Sequence, residues 1–283
     1  HLNMPVVSTI TLASTPEGRR GRRLGQVESL TTCGFLLGAG VVWLISYLRP
    51  DNGKFPMIFM AGAVFALLAG IAYSRLHLPD LHQKRPRLVM HRKFGLYYWL
   101  EFLFGARKQV FLTFGPWVLI RIYGLETHQI AKLFIVSSMV GVGFKLFAGR
   151  AIDRFGERTV LLIDAVMLVL VCLGYGYAKS LFTEQTAFFV ASGCFILDHM
   201  LFSLSQARNV YASRIAENSS ELSGTLSLGI SINHIASMGI PACAGLVWEE
   251  FGYEKVFLLA TVLAAIVFAS VIFLPRKSVI SYQ

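Results

Sequence analysis

The chain has 283 residues, of which 55% are hydrophobic and only 15% charged, with a net charge of +10. Soluble domains carry about a quarter charged residues, so this composition and a mean hydropathy of +0.59 exclude an ordinary water-soluble fold. The basic excess lies in short polar stretches between long apolar runs, which argues against a nucleic-acid-binding face.

Eight runs reach the ~20 mostly apolar residues that a bilayer crossing needs: 27–48, 55–74, 95–121, 129–148, 159–178, 186–208, 223–247 and 255–274. Runs of this length cross as helices, because lipid offers the backbone no hydrogen-bond partners. The expected fold class is an all-α polytopic membrane protein. Residues 1–15 read as the tail of a helix, and the chain starts at His1 without a signal-peptide pattern, which implies processing or a fragment. Residues 14–23 form a basic loop. The first full span carries Gly34, Gly38 and Gly40, a spacing that permits close helix packing in lipid. A turn at 49–54 leads to the second span. Residues 75–93 are polar and basic, with Pro79 and Pro86, and read as a linker between two halves. Its His77, His82 and His91 fit no compact zinc spacing. Six spans follow. Cys33, Cys172, Cys194 and Cys243 all fall within spans, so neither a disulfide framework nor a metal site is expected, and no cofactor motif is present.

Assigning alternate loops to opposite sides puts Arg19, Arg20, Arg22, Arg23, Arg75, Lys84, Arg85, Arg87, Arg92, Lys93, Arg150, Arg154, Arg158, Arg208, Arg214, Arg276 and Lys277 on one side. Only Arg49, Lys54, Arg121, Lys179 and Lys255 fall on the other. By the positive-inside rule the rich side is cytoplasmic. Loops 16–26, 75–93, 149–158 and 209–222 and the C-terminus are therefore expected in the cytoplasm, and the protein in a cell or inner membrane.

The link between the fourth and fifth of these spans reads Gly149-Arg150-Ala151-Ile152-Asp153-Arg154-Phe155-Gly156-Glu157-Arg158. So short a link makes the two helices antiparallel, and Asp153 is placed to meet the positive end of the following helix or a neighbouring Arg. Here the chain resembles the major facilitator superfamily of transporters, whose signature is Gly-x-x-x-Asp-Arg-x-Gly-x-Arg. Gly149, Asp153, Arg154, Gly156 and Arg158 match it; Glu157 stands where the family usually has a basic residue. The resemblance implies a gating role for these five residues. It also implies helices five to twelve of a twelve-helix carrier: 1–74 ending the N-terminal bundle, 75–93 the central loop, 94–283 the C-terminal six-helix bundle. The missing N-terminal helices would then be a partner of this segment. A second register would take the last six spans as an N-terminal half, leaving the first two unexplained. A weak internal repeat between 21–43 and 225–248 fits two related halves.

A charge within a span is costly and normally faces a cavity or a partner. The third span carries Glu101 and Lys108, seven residues apart on one face, with Arg107 beside them and a Gly115-Pro116 kink beyond. The sixth span carries Asp198 and His199, and the seventh Asn233 and His234 within a stripe of Ser227, Ser231 and Ser237. By the resemblance, the third and sixth spans line the central cavity. Arg107, Lys108, Asp198, His199, Asn233 and His234 are thus candidates for substrate binding, and Glu101, Asp198 and His199 for proton coupling. Structural ion pairing and helix–helix hydrogen bonding are the competing readings of the same residues. Lys145 is expected to snorkel, and Asp164 to join Arg150, Arg154 or Arg158.

No nucleotide-binding, nucleophile-elbow or zinc-protease motif occurs. The expected activity is secondary transport of a small solute, anionic or zwitterionic, by alternating access and with a coupling proton or other ion. Two other classes fit the same spans: a non-transporting sensor or scaffold of this fold, and an intramembrane enzyme acting on a lipid.

Overall fold

The computed structural model describes residues 3–48, 54–75, 90–125 and 127–275, and every regular element among them is helical. Ten helices follow in order: α1 (Asn3–Ala13), α2 (Arg20–Leu48), α3 (Lys54–Ser74), α4 (Gly95–Arg121), α5 (Thr127–Phe155), α6 (Glu157–Leu181), α7 (Glu184–Leu201), α8 (Gln206–Ile215), α9 (Ser219–Phe251) and α10 (Tyr253–Ile272). Six stretches among the described residues are long and apolar enough to cross a membrane: α3, most of α5, α6, α7 through α8, α9 and α10. The remaining expected spans, α2 and α4, also form long helices; charges lie along α4, whereas those of α2 all fall in its first nine residues. The expected linker lies largely outside the described residues, with His77 and His82; His91 lies inside them.

The expected span at 186–208 is not one α-helix. A tight 3-10 turn at Phe202–Ser205 separates α7 from α8. At the link, Gly156 has φ +81°, which a side chain rarely tolerates, and this one residue turns the chain from α5 into α6. Gly252 repeats the device between α9 and α10 with φ +85°.

Helices α4 to α10 pack as one bundle whose strongest pairings are α4 with α9 and α6 with α10. Phe111, Tyr175 and Phe257 knit α4, α6 and α10 at its centre; the Tyr175 and Phe257 rings stack with centroids 4.9 Å apart. The first three helices join this bundle mainly through α2 against α5 and α1 against α9, while α3 packs chiefly on α2. Close approach needs glycine at two crossings. A Cβ on Gly105 would meet the Asn233 backbone, and one on Gly25 the Lys145 carbonyl. Gly34, Gly38 and Gly40, where the sequence places close packing, have nothing within 4 Å. The contact glycines of α2 are Gly21 and Gly25 instead, in its first turns, because α2 meets α5 at the end bearing the link.

That end also gathers Arg20, Arg22, Arg23, Lys93, Arg154, Arg158 and Arg214, and is called the basic end below. Lys93 is tied there to Glu221 at 2.7 Å and Glu217 at 2.9 Å, joining the start of α4 to the start of α9. Its hydrogen bonds to Glu221 and then Glu217 hold its amine above the ordinary lysine value of 10.5, so this tie forms below that pH and is lost only as the pH climbs past it.

Gly105→Ala is expected to destabilise the protein by about 1–3 kcal/mol, since a backbone atom cannot yield as a side chain does. Gly38→Ala, in open space, is expected to be neutral or mildly stabilising. Thermal unfolding of the two variants in detergent checks the contrast.

Candidate functional site: a cavity between the helix pair α1/α2 and the bundle

A cavity of about 500 Å³ opens where α1 and α2 face α4, α8 and α9. Ser8, Glu28 and Thr31 line one wall. The other wall carries Tyr97, Glu101, Phe104 and Lys108 from α4, with Arg208 and Asn209 from α8 and Asn233 and His234 from α9.

A continuous polar chain runs along this second wall. Arg208 Nε donates to Glu101 Oε1 at 2.7 Å, and both side chains are buried. Asn233 Nδ2 donates to the other Glu101 oxygen at 3.2 Å, and Lys108 Nζ donates to Asn233 Oδ1 at 2.7 Å. Arg208 also lies over the Phe104 ring, its Cζ 3.8 Å from the centroid. Glu101 is thus neutralised by a cation, whereas Lys108 is met by an amide and makes no ion pair among the described residues. Ammonium and amide together leave room for an incoming anionic oxygen.

Arg107, one residue away, points elsewhere. It lies behind the wall, inside the bundle, with Nη1 on both oxygens of Asp164 at 2.9 and 3.1 Å. Asp164 therefore does not join Arg150, Arg154 or Arg158; its partner is Arg107, which reaches it at mid-bundle. Asp198 approaches the same guanidinium at 3.7 Å, too far for a hydrogen bond, and its Oδ1 and Arg107 Nη2 have no hydrogen-bond partner among the described residues. His199 faces away from Asp198. Its Nδ1 meets the Phe195 carbonyl at 3.1 Å, and its ring packs against Phe134 and Phe195.

Of the residues singled out in the sequence, Glu101, Lys108, Asn233 and His234 thus share the cavity, while Arg107, Asp198 and His199 do not line it. Ser227 and Ser231 bond back to their own helix, and Ser237 bonds to the Gly105 carbonyl across the α4–α9 crossing. Sequence reasoning missed Glu28, a charge just inside the first span, and counted Arg208 only among the basic residues of the cytoplasmic side, whereas it is buried against Glu101. The cost of intramembrane charge was the signal for both.

The two sides of the cavity are bridged by three sets of bonds. Asp153 accepts from the backbone N–H groups of Gly21 and Arg22, both at 2.7 Å, so it caps α2 and not the helix that follows it. Arg20 donates to the Ser213 carbonyl and hydroxyl at 3.2 and 3.3 Å. Deeper in, Lys145 does not snorkel: it donates to Thr32 at 2.6 Å and pairs with Glu28 at 3.5 Å. Within the bundle, Glu157 is buried and paired with Arg214, while Arg154 lies over the Phe155 ring.

Asp164→Asn is expected to cost about 3–5 kcal/mol, because it leaves Arg107 buried without its close counter-charge. Asp198→Asn is expected to cost far less, since it removes the surplus carboxylate of the cluster. Denaturation of both variants in detergent measures the difference.

Comparison with curated protein sequences gives no match. Among solved structures, the chain is similar to FucP, a major facilitator transporter crystallised in the outward conformation, at 13% identity and a TM-score of 0.72. That match covers 96% of this chain and 72% of the other. It is also similar to a variant of the E. coli fucose:proton symporter FucP, again at 13% identity, with a TM-score of 0.70 and 96% and 73% of the two chains covered. At such identity the likeness concerns the fold. The sequence profile described as Major Facilitator Superfamily matches residues 2–229 and 97–281, which together span nearly the whole chain, and the chain belongs to that superfamily of transporters.

Proposed function

We propose that this protein moves a small solute bearing an anionic group through the cavity between its two halves, in exchange of accessibility from one membrane face to the other. The observation that carries this reading is Lys108, a cation on the cavity wall held by an amide and by no carboxylate. A carboxylate or similar group would replace or share Asn233 at the ammonium. His234, Asn209 and Thr31 would supply further polar contacts, and Tyr97 and Phe104 an apolar surface.

Glu101 is the coupling carboxylate in this reading. It lies on the same wall and neutralises Arg208. A proton reaching Glu101 would release Arg208 and Asn233 together, so protonation and solute binding would act on one set of bonds. Asp198, with Arg107 and Asp164, holds α4 to α6 and α7, and His199 packs the face behind them; both support the wall and do not touch the solute.

The latch formed by Asp153, Arg20 and Lys145 joins the two halves on the basic side, which the charge bias makes cytoplasmic. Gly149 and Gly156 keep it compact, and Arg154 and Arg158 lie beside it. Opening of the site to that side would require these bonds to break.

Lys108→Gln is expected to abolish the rise in melting temperature that carboxylate solutes give the parent protein, over a panel of organic acids, amino acids and sugars. A response to neutral sugars alone, unchanged in this variant, would sink the anion assignment. Proteoliposomes with an imposed pH gradient are expected to accumulate the hit solute, and Glu101→Gln to exchange it but not concentrate it. Asp153→Ala is expected to speed amide hydrogen exchange at Gly21 and Arg22 by roughly 10- to 100-fold, matching the ~1.5–3 kcal/mol of a hydrogen bond to a charged group.

A further inference from the structure

A second concavity, of about 520 Å³, lies outside the solute pathway. Its mouth is the exposed segment Met90, His91 and Arg92 just before α4. Its walls are Tyr98, Trp99 and Phe102 of α4, and it reaches Ile232 of α9. Ile232 lies thirteen residues along α9 from Ser219 at the basic end, a depth of ~20 Å at 1.5 Å per residue. The slot therefore runs from the membrane surface well into the hydrocarbon zone.

Its two ends differ in chemistry. The depth is apolar, and its aromatic wall is fixed: the Trp99 and Phe102 rings stack 5.7 Å apart at 12°, and Trp99 Nε1 donates to Ser270 Oγ of α10 at 2.9 Å. Trp99 and Phe102 are nonetheless 45% and 40% exposed, so no protein element among the described residues covers them. At the mouth, the neighbouring Glu217 and Glu221 both pair with Lys93, and Glu221 also attracts His91. Arg92 makes no ion pair among the described residues and is exposed.

We infer that this slot binds one anionic phospholipid, its phosphate at Arg92 and an acyl chain along Trp99, Phe102 and Ile232. A guanidinium at headgroup depth above an apolar groove selects a molecule carrying both features. Tryptophan belongs at that depth, and one surface cation favours an anionic lipid by about fivefold.

The test uses a variant in which Trp43, Trp117 and Trp248 are Phe, so that Trp99 is the sole fluorophore. It is placed in nanodiscs doped with phosphatidylglycerol or phosphatidylcholine brominated on the acyl chains. Trp99 is expected to be half-quenched at about fivefold less brominated phosphatidylglycerol than phosphatidylcholine. Arg92→Gln, at an exposed site that leaves the fold intact, is expected to make the two lipids equal. Ile232→Phe, which narrows the depth of the slot, is expected to reduce quenching by both. Equal quenching by the two lipids in the parent would overturn the proposal, as ordinary lipid contact only. A phosphatidylglycerol preference that survives Arg92→Gln would overturn the assignment of its headgroup site.

Discussion

Neutralising charge inside a low-dielectric bundle is the constraint on which this structure depends. An ion taken out of water costs several kcal/mol even after relaxation, and partner charges with good geometry must offset it. Helix α4 carries most of that burden. Its Glu101 answers Arg208 of α8, and its Arg107 answers Asp164 of α6, with Asp198 of α7 nearby. Four helices are thereby held at fixed rotations about their own axes, because a rotated helix would strand a charge in apolar surroundings. The aromatic core of Phe111, Tyr175 and Phe257 packs the same bundle through ring contacts of α4, α6 and α10.

The same economy separates two neighbouring cations. Arg107 and Lys108 differ by one residue, hence by ~100° around the helix. One is committed to an internal pair with an acid, and the other faces the cavity with only an amide beside it. A buried ion pair and a cavity-facing cation are therefore carried by adjacent residues that do not share an acid.

Much of this was legible in the sequence. Hydropathy located the spans, the Gly149–Arg158 link marked the family, and the cost of buried charge pointed to Glu101, Lys108 and Asn233. Pairing was not legible. Arg107 meets Asp164 across 57 positions and Arg208 meets Glu101 across 107, and no helical periodicity carries information between separate helices. The glycines of α2 show a related limit: their spacing signals a contact-competent face, but which turn of α2 crosses α5 is set by the other helix. Glu157 departs from the family's basic preference, and its buried pairing with Arg214 of α8 is a local solution that one motif position cannot announce.

The 3-10 turn at Phe202–Ser205 has a geometric consequence for everything after it. Each residue of such a turn advances ~120° where an α-helix advances ~100°, so four of them shift the angular phase of α8 by ~80° relative to α7. Ten residues of pure α-helix would leave Arg208 ~80° out of line with Asp198. The turn cancels that offset, so both side chains point toward α4, one to each of its charged levels. Relaxing those four residues to α geometry would swing Arg208 off Glu101 while shortening the segment by only ~2 Å. Four residues of tighter winding thus set which side chains of α7 and α8 face α4, at a difference of only ~2 Å in length.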